Sequence, residues 1–133
     1  MLHPNSFRNV DGFVVLFDVS GDKQELGDVN DWLDLIKDFS VKDKPNIIIV
    51  GNKSDQPRKV NKELVERFVR EKKCPYTETS ALNGTNVCNA FNCLLLEVMG
   101  LPEEARKILN PDIVDPDHSD PSPPPSKPWY KFW

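Results

Sequence analysis

Apolar residues in this chain fall into short runs and spaced stripes rather than one continuous pattern. Phe13-Val14-Val15-Leu16-Phe17-Asp18-Val19 and Asn46-Ile47-Ile48-Ile49-Val50 are near-unbroken apolar runs. Runs without alternation are read as strands covered on both faces, as in a parallel sheet. Segments this short are also compatible with buried helix, but their β-branched and aromatic content and flanking turn residues favour strand. Between them Leu26, Val29, Leu33 and Ile36 recur at helical spacing beside Trp32, with Asp and Lys opposite, which predicts an amphipathic helix over about residues 24–38. Strand, helix, strand at this distance is a βαβ crossover, expected to be right-handed.

Beyond Pro57, Asn61 is placed to cap a second helix bearing Leu64, Val65, Phe68 and Val69. Pro75 introduces a short third strand, Tyr76 to Ser80. A last long helix carries Val87, Ala90, Phe91, Leu94, Leu95 and Val98, expected on one face, with Gly100 as its C-cap and Pro102 ending it. Residues 101–110 are expected to add one short helix. From Pro111 to Pro128 lie seven of the chain's 12 prolines and four aspartates, without apolar periodicity. Such a stretch buries too little surface to offset its ordering entropy, so 111–133 is expected to be a disordered or polyproline-like tail. It ends in Trp129-Tyr130-Lys131-Phe132-Trp133, which could be a partner-docking motif, an interfacial anchor or an unselected end. The fold class expected is α/β: three parallel strands with flanking helices over residues 5–100.

Composition narrows the function classes. The 133 residues suffice for one domain. A net charge of −4, from 17 Lys and Arg against 21 Asp and Glu, argues against nucleic-acid binding, which needs clustered cations. No apolar run is long enough to span a bilayer. Cys74, Cys88 and Cys93 are an odd set without Cys-x-x-Cys spacing, so neither a disulfide framework nor a zinc site is expected. The cytoplasm, being reducing, is the expected compartment.

The sharpest chemical signal is Asn52-Lys53-Ser54-Asp55, directly after the second strand. Ligands of parallel sheets bind beyond the carboxyl ends of the strands, where this loop falls. Guanine presents two N–H donors, at N1 and the 2-amino group. One carboxylate, Asp55, can accept both, and adenine offers no matching pair. Charge-assisted bonds of this kind contribute roughly 1.5–3 kcal/mol each. Lys53 can lay its alkyl stem on the base, and Asn52 can tie the loop to its neighbours. Alone, the tetrapeptide is equally well an ordinary surface turn. Glu78-Thr79-Ser80-Ala81-Leu82 follows the third strand, and its bland reading is a strand-to-helix turn capped by Thr85 or Asn86.

Together these motifs resemble the C-terminal half of the G domain of a Ras-superfamily small GTPase, Rab-like in particular. Phe7-Arg8-Asn9-Val10-Asp11-Gly12 before the first strand, Trp32-Leu33, Asn52 to Asp55, Glu78 to Ala81, and Asn83-Gly84-Thr85-Asn86-Val87 fall in the family's order. The resemblance implies a guanine site of Asn52, Lys53, Asp55, Ser80, Ala81 and Leu82. Within it the Ala81 N–H meets guanine O6, and Ser80 orders the Asn-Lys-x-Asp loop. Leu82 replaces the family's usual lysine and keeps an apolar cover for the base without the cation. Implied ligands are GTP or GDP, and implied partners are effector or regulatory proteins.

The chain contains no Gly-x-x-x-x-Gly-Lys-Ser/Thr phosphate loop, no switch threonine segment for magnesium, and no Asp-x-x-Gly followed directly by the catalytic glutamine. In the family plan these parts precede Phe7. A magnesium site and catalytic residues are therefore not expected, since phosphoryl transfer rests on positioning and on stabilising γ-phosphate charge. The Phe13–Val19 strand, central in the family, is expected to be a sheet edge. Asp18, a tempting metal ligand or base, is read as structural. No cysteine near the terminus offers a prenyl anchor. Two functions remain open: a Rab-like GTP-binding switch, or a non-catalytic interaction module using the bare edge or the tail.

Overall fold

The computed structural model describes residues 3–22 and 25–100. The expected short helix at 101–110 and the tail at 111–133 lie outside the described residues. Three strands, β1 (Phe13–Asp18), β2 (Ile47–Asn52) and β3 (Tyr76–Glu78), pair in the order β1-β2-β3, all parallel. Phe13 lies opposite Ile47 and Asp18 opposite Asn52, while Gly51 lies opposite Glu78. The chain therefore leaves all three strands at the same end of the sheet.

The unalternated apolar runs are explained by cover on both faces. On one face Val15, Phe17, Ile47, Ile49 and Tyr76 pack with Val29, Leu33 and Ile36 of helix α1 (Glu25–Phe39) and with Val65 and Val69 of helix α2 (Lys62–Lys72). On the other, Ile48 and Val50 meet Ala90 and Cys93 of helix α3 (Val87–Met99). Asn61 caps α2, its side chain accepting from the backbone N–H of Glu63 at 2.9 Å and of Leu64 at 3.3 Å. Helix α3 ends at Gly100, which takes a left-handed φ of 66° and closes the last turn.

Four features depart from the sequence reading. The α3 stripe is Ala90, Cys93 and Leu96, whereas Phe91, Leu95 and Met99 face outward. This helix is apolar nearly all round, so spacing alone cannot choose its buried face; the β2 surface chooses it. Leu64 of α2 is likewise exposed, Val65 and Val69 taking the core positions. Asn86 sits at the N-cap of α3 but makes no capping bond, its amide donating instead to the Glu78 carbonyl at 3.0 Å. A 3-10 turn at Pro4–Phe7 carried no recognised signal; it buries Phe7 against Phe13 and Phe39, each 6.0 Å away between ring centres.

Gly51 is where the sheet tolerates no side chain. A Cβ there would lie 2.7 Å from the Tyr76 hydroxyl and 2.7 Å from Val19 Cγ1. Gly51→Ala is expected to lower stability by about 1–3 kcal/mol through overpacking, read as a lower urea midpoint at unchanged slope. A midpoint equal to that of the parent would show that this strand end relaxes freely.

Candidate functional site

At the carboxyl end of the sheet, the loop after β2 and the loop after β3 are bonded to each other. Asn52 closes β2, and Lys53 turns the chain with a left-handed φ of 64°. The Ser54 N–H then donates to the Thr79 carbonyl at 3.0 Å, and the Thr79 N–H to the Gly51 carbonyl at 2.8 Å. Strand-like pairing so continues past the end of β3 toward the expected Ser80. Asn52 Oδ1 accepts from Thr79 Oγ1 at 3.1 Å and from the Ala81 N–H at 3.1 Å. Ser80, fully buried, donates its hydroxyl to Asp55 Oδ1 at 2.6 Å. Below Ser80 the loop folds on itself, with the Gly84 N–H on the Ser80 carbonyl at 2.8 Å and the Ser80 N–H on the Thr85 carbonyl at 3.0 Å.

Five of the six residues singled out in the sequence are thus joined in one cluster. Asn52, Ser80 and Ala81 form its hydrogen-bonded centre, Asp55 hangs from Ser80, and Lys53 supplies the turn. Leu82 stands apart from these bonds and projects into solvent, 82% exposed. The Ala81 N–H, the donor expected for the base, is engaged by Asn52. Ser80 first, and Gln56 second, hold the Asp55 carboxyl below the ordinary carboxylate value, although the group is exposed.

Asp18 has a definite partner. Its Oδ2 pairs with Lys53 Nζ at 2.9 Å, while Oδ1 accepts from the Ser20 N–H at 2.8 Å and the Ser20 hydroxyl at 2.6 Å. The hydroxyl of Ser20, and then Lys53, keep the Asp18 carboxyl low despite some desolvation, and Asp18 raises Lys53 in turn. The Asp18 N–H donates to Glu25 Oε2 at 3.0 Å, linking the strand end to α1. Asp18 therefore tethers the lysine of the Asn-Lys-x-Asp loop. Its position follows from the parallel register, which sets it opposite Asn52.

A buried pairing that the sequence reading missed lies under the same loop. Glu78 is nearly fully buried and accepts from both the Arg58 guanidinium and the Tyr76 hydroxyl. Arg58 also donates to the Val60 carbonyl at 3.0 Å. Lys59 and Val60 donate their N–H groups to the Val19 carbonyl at 2.9 and 3.1 Å. Burial, together with Glu78, pushes the Tyr76 phenol well above its ordinary value. An acidic residue in a strand expected to be buried was the available clue, because a buried carboxylate needs a cation.

The cluster offers an exposed carboxylate, a tethered ammonium and an apolar Leu82. Among the described residues no group of three or more His, Cys, Asp or Glu side chains is gathered to hold a metal ion. No helix among them is long and apolar enough to cross a membrane.

The depressed Asp55 and Asp18 carboxyls give the loop a definite pH response. A carboxyl lowered in the folded state adds stability that is fully present above its unfolded value of about 3.9, and lost as pH falls through the lower folded value. The Ser80–Asp55 and Lys53–Asp18 contacts are therefore expected to persist from neutral pH to about pH 4 and to weaken only below it. Ser80→Ala should move the Asp55 carboxyl resonance titration upward toward the ordinary value. An unchanged Asp55 titration in that variant would show that Ser80 does not hold the carboxylate.

Residues 1–100 match the family model described as Ras family. The chain is 36% identical over 95 residues to the Ras-related protein Rab-27A of Mus musculus, covering 70% of this chain and 42% of that protein. It is 40% identical over 95 residues to Rab-27A of Sus scrofa, with the same coverage of 70% and 42%. To human Rab-27B it is 33% identical over 116 residues, covering 85% of this chain and 53% of the relative. The chain spans about half the length of the curated relatives it matches. With three parallel strands, flanking helices and this match over most of its length, the chain belongs to the Ras family of small GTPases, is Rab-like, and covers part of the G domain.

Proposed function

We propose that this chain carries the guanine-reading part of a Rab-like GTP-binding switch acting in vesicle traffic or signalling. The observation that carries this reading is an exposed Asp55 held from beneath by the buried Ser80 at 2.6 Å, in the loop bonded to Ala81. Asp55 would accept N1–H and the 2-amino group, and the stem of Lys53, anchored on Asp18, would lie along the base. Leu82 would cover the base's other face. The Ala81 N–H would turn from Asn52 to guanine O6. These residues fit a guanine base.

They do not fit a triphosphate with magnesium. The sequence has no phosphate loop, and no described acidic cluster suits a metal ion. Hydrolysis depends on positioned charge around the γ-phosphate, so the residues present serve recognition rather than phosphoryl transfer. Effector and regulatory proteins are the expected partners, and the cytoplasm the expected compartment.

A second reading, a non-catalytic protein-interaction module, is favoured by the outer edge of β1. Leu16 there is 57% exposed. An apolar groove of about 440 Å³ lined by Phe7, Phe13, Trp32 and Ile36 flanks it on the α1 side. One of about 200 Å³ lined by Val14, Ala90 and Phe91 flanks it on the α3 side. Apolar cover on both sides of an unpaired strand invites strand addition.

Calorimetry with GTP, GDP and guanosine, with and without magnesium, separates the two. Base recognition alone predicts millimolar affinity, about −4 kcal/mol, similar for all three ligands and indifferent to magnesium. Asp55→Asn should weaken it about tenfold or more. Micromolar, magnesium-dependent binding would overturn the reading. For the edge, sedimentation at rising concentration should show association that Leu16→Lys reduces; a parent chain that stays monomeric counts against the module.

A further inference from the structure

We infer that Gln56 is a built-in competitor for the guanine-reading carboxylate, its side-chain amide occupying the Asp55 oxygen that an incoming base must take. The inference rests on the reading of Asp55 as the base acceptor and adds a determinant of affinity within the same loop.

Both oxygens of Asp55 are already bonded. Oδ1 accepts from Ser80 at 2.6 Å, and Oδ2 accepts from Gln56 Nε2 at 2.8 Å. The two donors differ in position. Ser80 is fully buried and reaches the carboxylate from inside the protein, where it leaves the outer side open. Gln56 and Asp55 are both exposed, so the amide bond lies on the solvent side, from which a base arrives.

The chemistry is also matched. A primary amide presents an N–H₂ donor of the kind guanine presents with its 2-amino group, and a carboxylate accepts either. Because Gln56 is the next residue in the chain, its amide competes intramolecularly, without the translational entropy loss that a free ligand bears. Its backbone is held as well. The Gln56 N–H donates to the Lys53 carbonyl at 2.9 Å, and the following Pro57 restricts its conformation. Only the side chain is free to swing away; Oδ2 keeps a second lone pair, but the amide stands on its solvent side, so an arriving base competes with it for the same approach. The other recognition groups are satisfied internally too, Lys53 by Asp18 and the Ala81 N–H by Asn52. Gln56 differs from both because its bond joins two exposed side chains.

The test is a titration of the isotopically labelled full chain with guanosine monophosphate, followed by backbone amide shifts, with adenosine monophosphate as control. Gln56→Ala should bind the guanine nucleotide about three- to tenfold more tightly than the parent, with no gain for the adenine nucleotide. Gln56→Glu, which sets a like charge beside Asp55, should bind more weakly than the parent. In the double variant with Asp55→Asn the gain from Gln56→Ala should vanish, and dispersed amide spectra report that each variant is folded. Equal or weaker binding by Gln56→Ala, or a gain that survives Asp55→Asn, overturns the inference. If Asp55→Asn leaves the parent's binding intact, base recognition by Asp55 itself is wrong. If it abolishes binding while Gln56→Ala changes nothing, only the competitor role falls. Absence of guanine-nucleotide binding in both parent and Gln56→Ala sinks both.

Discussion

Parallel pairing is the constraint on which the rest of this structure depends. Strands that run the same way must all leave the sheet at one end, and their connections must return as helices over the faces. Here that rule puts Asp18, Asn52 and the residues after Glu78 side by side, although they are far apart in the chain. The Asn-Lys-x-Asp loop and the Ser80–Ala81 loop touch because the register delivers them to one place. Gly51, hemmed in by Tyr76 and Val19, lets the strands approach closely enough for the loops to bond.

Around that meeting point the protein satisfies its own polar groups in layers. The buried layer is Glu78 with Arg58 and Tyr76, which anchors the far side of the loop to β3. Above it, Asn52 and Ser80 knit the two loops together, and Asp18 tethers Lys53. The outermost layer is the exposed pair of Asp55 and Gln56. Removing a buried partner strands a charge, whereas breaking the exposed pair returns both groups to water at the smaller cost of one surface hydrogen bond. That gradient separates the parts that build the site from the part that a ligand can displace.

The elements themselves were largely legible. Unalternated Val and Ile runs marked the strands, the spacing of Val29, Leu33 and Ile36 marked α1, and Asn61 and Gly100 marked helix ends. The α2 C-terminus was less so, since Lys73 takes the left-handed cap that glycine usually fills. The buried face of α3 was misassigned, because a helix whose polar residues are Asn89, Asn92 and Glu97 alone gives spacing little to point outward. In the site, the motif residues could be named from type and spacing. Gln56 gave no signal, because what makes it matter is an amide oriented toward one oxygen.

By itself, then, the amino-acid sequence determined the secondary structure, the parallel character of the sheet and the residue types that can read a purine. Those properties are local: periodicity, β-branching, capping and side-chain chemistry act within a few residues. Tertiary structure alone decided which groups meet: Lys53 with Asp18, Arg58 with Glu78, Ser80 with Asp55, and which α3 face stays bare. These depend on strand register and on which surface is left to cover, and both arise only when distant segments pack against one another.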